Sequence, residues 1–193
     1  MTGERPLTAF LDANALYPAE LRNLLMRLAL AEGYRPLWST RVQNEWTEAL
    51  ARDRPDLPRE KIERVRALME QHIPEATVED YDGLVGQLTL PDDGDRHVLA
   101  AAAKGDAEIL VTTNLKHFPA SALAPYGIEA LHPDQFVLRL IERVPARVLA
   151  AARDHRQSLK NPPKSVEEYL ATLEKVGLAG TVAALRPFAT LLE

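Results

Sequence analysis

Residues 88–114 read LTLPDDGDRHVLAAAAKGDAEILVTTN, and this stretch decides the class of fold. A polar turn, Pro91 to Gly94, leads into an alanine-rich segment that reads as a helix ending at Gly105. A strongly apolar run, Glu108 to about Thr112, follows and reads as a buried strand, with NLKHFP as the loop after it. Helix, short loop and uninterrupted apolar strand make the unit from which parallel sheets with helical crossovers are built.

Working outward, the same alternation continues. PLTAFLDAN contains a first strand, Leu7 to Leu11, that stops at Asp12. Pro18 stands where a helix can start, and Leu21, Leu24, Leu25, Leu28 and Ala29 fall on one face of it before Gly33. Tyr34 to Trp38 reads as a second strand. Ser39 then caps a helix with Val42, Trp46, Ala49 and Leu50 inward, which Pro55 and Pro58 end. A further amphipathic helix runs from about Arg59 to Gln71, and Ala76 to Val78 and Gly127 to Leu131 are additional strands. The order predicts an α/β domain with a central parallel sheet and helices on both faces. After His132 only helices are signalled: Asp134 to Arg143, Ala146 to Leu159, Val166 to Val176 and Leu178 to Leu185. The chain therefore divides into an α/β domain at 1–132 and an all-helical C-terminal extension at 133–193.

Composition narrows the chemistry. The 193 residues include no cysteine, which excludes disulfides, thiolate metal sites and cysteine nucleophiles and fits a cytoplasmic protein. No run of about 18 apolar residues is present, so no membrane-spanning helix is expected. The first twelve residues are too short and too charged for a signal peptide. The net charge of −5 argues against a generic polyanion binder, but it is unevenly spread. Between Arg139 and Lys164 seven basic residues face two acids, and 17 of the 23 basic residues in the chain are Arg, the better match for phosphate.

In an open parallel sheet, ligands bind beyond the carboxyl ends of the strands. Asp12 ends the first strand, Asn114 lies just past the end of AEILVTT, Asp95 opens the alanine-rich helix, and Glu45 lies in the helix after the second strand. Three acids and an amide from remote segments can thus meet at one rim. Their oxygens are hard ligands suited to Mg²⁺ or Mn²⁺. An acid directly after a buried strand is costly without a partner, which favours function for Asp12. Asp93 is the natural helix cap, His97 and His117 read as surface or supporting groups, and Ser39, Thr112 and Thr113 are hydroxyls that orient ligands or cap helices.

Taken together, LDAN at Asp12, STRVQNEW at Glu45, PDDGDRHVLAAA at Asp95 and ILVTTNLKHFP at Asn114 resemble the PIN domain over about residues 5–132. More narrowly the chain resembles VapC-type toxins of bacterial toxin–antitoxin pairs, and PARVLAAARDHRQSLKNPPKS resembles the C-terminal extension of one subset of them. The resemblance implies a three-layer α/β/α sandwich, an RNA substrate, Mg²⁺ or Mn²⁺ as cofactor, a cognate antitoxin and a homodimer. It implies Asp12, Glu45 and Asp95 as the metal-binding catalytic acids. The fourth position, normally Asp, is Asn114 here, which removes one negative charge; Asp92 is close enough in sequence to restore some of it. Thr112 and Asn114 would then orient water, and Arg96 or Arg41 would contact the phosphate. Two rivals remain. A phosphatase with an aspartyl nucleophile at the end of its first strand needs a second Asp two residues on, where this chain has Asn14. A non-catalytic PIN-like module that binds RNA or protein is kept open by Asn114.

Overall fold

The computed structural model describes residues 5–193. In chain order the elements are β1 (Thr8–Leu11), α1 (Ala13–Leu16), α2 (Ala19–Leu30), β2 (Arg35–Leu37), α3 (Thr40–Asp53), α4 (Arg59–His72), α5 (Asp82–Val85), α6 (Arg96–Lys104), β3 (Ile109–Val111), α7 (Ala120–Leu123), β4 (Glu129–Leu131), α8 (Pro133–Arg143), α9 (Pro145–Ser158), α10 (Val166–Lys175) and α11 (Ala179–Leu185). Residues 1–4, with which the sequence-based α/β domain begins, lie outside the described residues. No helix among the described residues is long and apolar enough to cross a membrane.

The contacts gather the chain into two compact units drawn from interleaved segments. One comprises Thr8–Tyr17 and Pro36–Leu131. It carries the sheet, whose order is β2-β1-β3-β4, with β1 parallel to β3 and β3 parallel to β4. This is the α/β fold on a parallel sheet that the sequence predicts. The register pairs Ala9 with Ile109, Phe10 with Leu110 and Leu11 with Val111. All four residues of β1 and all three of β3 are buried, which is why both read as unbroken apolar runs. The chain leaves β1 for β2 on one side and later enters β3 on the other. The carboxyl ends of β1 and β3 therefore flank a topological switch point.

The local signals translate into structure for identifiable reasons. Ser39 Oγ accepts from Val42 N at 3.2 Å and starts α3, which buries Val42 and Trp46. In α6 Ala100, Ala101 and Ala102 are fully buried. Gly105 ends that helix where a Cβ would come within 2.6 Å of Leu37 Cδ1 and 2.9 Å of Val78 Cγ2, so any larger residue would have to displace those two side chains. Two expectations change. Ala76 to Val78 forms no strand: Pro74–Ala76 is a 3₁₀ turn, and what remains is a single parallel bridge from Trp38 to Thr77. The turn takes in Ala76, whose N donates back to Ile73 O at 3.1 Å instead of to a neighbouring strand. The cap before α6 is Asp92 rather than Asp93, since Asp92 Oδ1 accepts from Gly94 N at 2.8 Å. A 3₁₀ turn at Asp93–Asp95 precedes α6 and moves the cap one residue earlier.

The other unit comprises residues 5–7, Pro18–Arg35 and His132–Glu193. In it α2 buries Leu21, Leu24, Leu25 and Leu28, the stripe read from the sequence. Tyr34 meets Phe136 edge to face at 4.9 Å. Ser165 and Glu168 cap α10 reciprocally. The short α11 is held to α8 by Asp134, whose carboxylate accepts from Gly180 N at 2.9 Å and from Thr181 N and Oγ1 at 2.7 Å. Replacing Asp134 with Ala strands three donors at a partly buried contact. It is expected to cost about 2 kcal/mol in urea unfolding, from the usual worth of hydrogen bonds to a charged group; an unchanged midpoint would contradict this role.

Candidate active site

The site grows from the end of β1. Asp12 is 5% exposed, and its N still extends the ladder to Val111 O at 3.1 Å. Its Oδ1 accepts from Ala13 N at 2.7 Å, which starts α1. Its Oδ2 accepts from Thr112 Oγ1 at 2.8 Å and from Asn14 Nδ2 at 2.7 Å. Asn14 also accepts from Thr113 N at 2.9 Å through Oδ1. The turns after β1 and β3 are thereby stitched together around one carboxylate. Thr112 is fully buried and additionally accepts from Asn114 N at 3.0 Å.

Electrostatics identify what else lies close. Burial raises the pKa of Asp12 above its ordinary value, the hydrogen bonds from Thr112 and Ala13 oppose this, and the charges of Asp95 and Glu45 push it up further. Asp95 and Glu45, remote in sequence, are thus each within electrostatic range of Asp12.

Each of the other acids has its own support. Glu45 Oε1 is 2.9 Å from Nε2 of His97, whose ring is buried on α6, and 3.3 Å from Arg41 Nε. Asp95 Oδ2 lies 2.7 Å from His117 Nδ1, and the Asn114 amide nitrogen lies 3.3 Å from the same atom. Ligand-type atoms of Asp92, Asp95 and His117 all lie within 4.8 Å of one another. The residues named from the sequence therefore fall into two clusters: Asp12 with Thr112, and Asp95 with Asp92, joined by Asn114. Glu45 comes in from α3. Arg41 and Arg96, the candidate phosphate contacts, each already hold a carboxylate, Arg41 that of Glu45 and Arg96 that of Asp93.

Asn14 is a supporting residue that the sequence reading did not assign to the site, whereas His97 and His117, read from the sequence as surface or supporting groups, both take the supporting role. His97 carried a usable signal. It shares a helical face with the fully buried Ala100 and Ala101, so it had to be inside and to need a partner.

The donor set is carboxylate oxygen with one imidazole nitrogen, gathered where an ionised carboxylate is otherwise disfavoured. Such a set fits a hard divalent cation, whose charge would relieve the repulsion that Asp12 experiences.

A parallel sheet switching direction beside β1, with an acid at that strand's end, defines a class. The chain belongs to the PIN domain family, whose model matches residues 8–116. Residues 133–187 match a second model, described as the VapC50 C-terminal domain. Over 44 residues the chain is 70% identical to a Mycobacterium tuberculosis (strain ATCC 25618 / H37Rv) protein named "Putative ribonuclease VapC50". That stretch is 23% of this chain and 26% of the relative, so the match spans about a quarter of the relative's length. No solved structure gives a significant match.

Proposed function

We propose that this chain is a metal-dependent endoribonuclease, the toxin of a type II toxin–antitoxin pair, acting in the cytoplasm. The observation that carries the reading is Asp12: a buried carboxylate at the switch point of a PIN-family sheet, its pKa raised first by burial and further by two nearby acids. The likeness to a relative named as a ribonuclease supports the same activity. The nuclease domain is assigned to residues 1–132 and the helical extension to 133–193. RNA is the substrate and a separately encoded antitoxin the partner, with a homodimer as the assembled form.

In this mechanism Asp12, Asp95 and Glu45 would hold Mg²⁺ or Mn²⁺, with Asp92 and His117 at the same rim. Such an ion would supply water activation and charge neutralisation at the scissile phosphate. The chain's own residues do the positioning. Thr112 and Asn14 fix the Asp12 carboxylate, leaving one Oδ1 lone pair clear of them. His97 sets the direction of Glu45 from a buried ring, and His117 does so for Asp95. Asn114 braces His117 without adding charge. Arg41 and Arg96 reach a phosphate by exchanging their carboxylate partners for it.

The test is incubation of the full chain with single-stranded and structured RNA in Mg²⁺, in Mn²⁺ and in EDTA. Cleavage in either metal and none in EDTA is expected. RNA binding without cleavage in both metals would instead make the chain a non-catalytic binding module. Co-expression with a small neighbouring protein that carries a DNA-binding domain is expected to relieve growth arrest.

A further inference from the structure

Two short turns, remote in sequence, meet beside the carboxylate of Asp12. PDDGD forms a 3₁₀ turn over Asp93–Asp95, and NLKHF forms another over Leu115–His117. Both lie within the unit that carries the sheet. The first turn uses its acids differently. Asp93 pairs with Arg96. Asp92 engages Oδ1 with Gly94 N at 2.8 Å. Its Oδ2 faces the second turn instead, 3.9 Å from His117 Nδ1. Asp95 Oδ2 lies 2.7 Å from that same nitrogen. One imidazole nitrogen thus stands between two carboxylates, and ligand-type atoms of all three residues lie within 4.8 Å of one another.

This donor set differs from that of Asp12 and Glu45, which offer oxygen alone. Imidazole nitrogen suits Zn²⁺ and its neighbours in the first transition row, whereas Mg²⁺ prefers an all-oxygen shell. Three protein ligands with water in the fourth place make a common form of Zn²⁺ site. Donor atoms about 2.1 Å from one tetrahedral ion stand about 3.4 Å apart. The distances of 2.7 and 3.9 Å from Nδ1 fall on either side of that spacing. The neighbours of Nδ1 also make opposed demands. The two carboxylates call for a proton on it, whereas the Asn114 amide nitrogen, 3.3 Å away, calls for a lone pair. A dication held by that lone pair satisfies both carboxylates without the proton, and their two charges balance its own.

We propose that Asp92, Asp95 and His117 form a binding site for an ion of the Zn²⁺ class, with His117 Nδ1 as a direct ligand, beside the carboxylate centre at Asp12. Asp95 offers Oδ2 here and keeps Oδ1 for the Mg²⁺ or Mn²⁺ ion it shares with Asp12 and Glu45; that sharing rests on the ribonuclease reading. His117, which braces Asp95 through a hydrogen bond, becomes a ligand when Zn²⁺ enters. Occupancy of this site then governs how far Asp95 is available to the carboxylate centre.

The test titrates the chelator-stripped full chain with Zn²⁺ in excess Mg²⁺, following heat by calorimetry and the histidine ring nitrogens by NMR. Zn²⁺ is expected to bind despite the Mg²⁺ and to shift one Nδ1 resonance, the one missing from the His117→Gln spectrum. His117→Gln and Asp92→Asn are each expected to weaken Zn²⁺ binding about 10-fold or more, since groups that only support a ligand already cost about 10- to 100-fold. Asp12→Asn is expected to bind Zn²⁺ as the parent does. Melting temperatures in EDTA establish that each variant is folded; should His117→Gln fail to fold, Asp92→Asn carries the affinity test. Parental affinity in either ligand variant, a Zn²⁺ shift on a different histidine, or no Zn²⁺ binding by the parent would overturn the proposal. So would a loss in Asp12→Asn equal to that in His117→Gln, which would put the ion in the carboxylate centre. RNA cleavage by the parent in Mg²⁺ and in Mn²⁺ is scored separately. Cleavage with no Zn²⁺ on His117 sinks this site alone, and Zn²⁺ on His117 without cleavage sinks the ribonuclease reading alone.

Discussion

Asp12→Asn is expected to reduce metal-dependent RNA cleavage by about 100-fold or more while making the metal-free protein no less stable than the parent. Groups that merely support a metal ligand typically cost about 10- to 100-fold when replaced. Loss of a ligand at the centre of the site sets the higher figure as the floor. The stability half of the expectation follows from linkage. The pKa of Asp12 is raised in the folded chain chiefly by burial, which with the smaller effects of Asp95 and Glu45 outweighs the hydrogen bonds from Thr112 and Ala13. A group shifted this way contributes stability that is present below its ordinary value of 3.8 and is lost as pH rises through the higher folded-state value. At neutral pH the ionised Asp12 is therefore a net cost to the metal-free fold, and an uncharged isostere removes that cost. In EDTA at pH 7 the variant should melt at or above the parent temperature. Addition of Mg²⁺ or Mn²⁺ should raise the parent's melting temperature and move the variant's much less, because the ion binds only the folded ligand set. Wild-type cleavage by the variant would remove Asp12 from the site. A lower melting temperature in EDTA would show that its hydrogen bonds, and not its charge, dominate.

The same carboxylate marks how far the sequence could be read. Residues buried on both faces leave a plain signature, so β1 and β3 were visible as apolar runs, and an acid at the end of β1 stood out against them. Ser39 and Gly105 announced helix ends through their own local chemistry. Segments that depend on a distant partner were less visible. Ala76 to Val78 has the side chains of a strand, but its pairing is limited to Trp38 by the turn beginning at Pro74. The one-turn helix α1 is too short to carry a periodicity and exists because Asp12 caps it. Within the site, the acids could be found one by one from position, whereas which acid each support serves could not. Asn14 bridges residues about a hundred positions away, and His117 reaches back to Asp95 from the loop after β3. Arg41 and Glu45, four apart on α3, are an exception, since helical spacing alone places them together.

Acidification is expected to unfold this protein through a group far from any catalytic role. His155 on α9 is 1% exposed, and its Nδ1 lies 3.2 Å from the Tyr169 hydroxyl, the two rings meeting edge to face at 5.3 Å. Its Nε2 is buried without a hydrogen-bond partner. A proton there would place a charge in an apolar interior already facing Arg27 and Lys164. Burial first, and those two cations second, hold the imidazole pKa down to about 4, against 6.5 for the free side chain. The unfolded chain thus takes up a proton that the folded chain refuses. The stability this group preserves is complete above 6.5 and falls as pH drops from 6.5 toward 4. At about 1.4 kcal/mol per pH unit, the loss comes to about 2 kcal/mol at pH 5 and about 3 kcal/mol at pH 4. His155→Gln keeps a polar partner for the Tyr169 hydroxyl but cannot titrate. Urea unfolding of both proteins at pH 7, 5 and 4 isolates the difference, because the carboxylates that respond to acid are common to the two. The variant should lie near or below the parent at pH 7 and gain on it by about 3 kcal/mol by pH 4. Parallel pH dependences for the two proteins would mean that His155 is protonated, and satisfied, within the folded core.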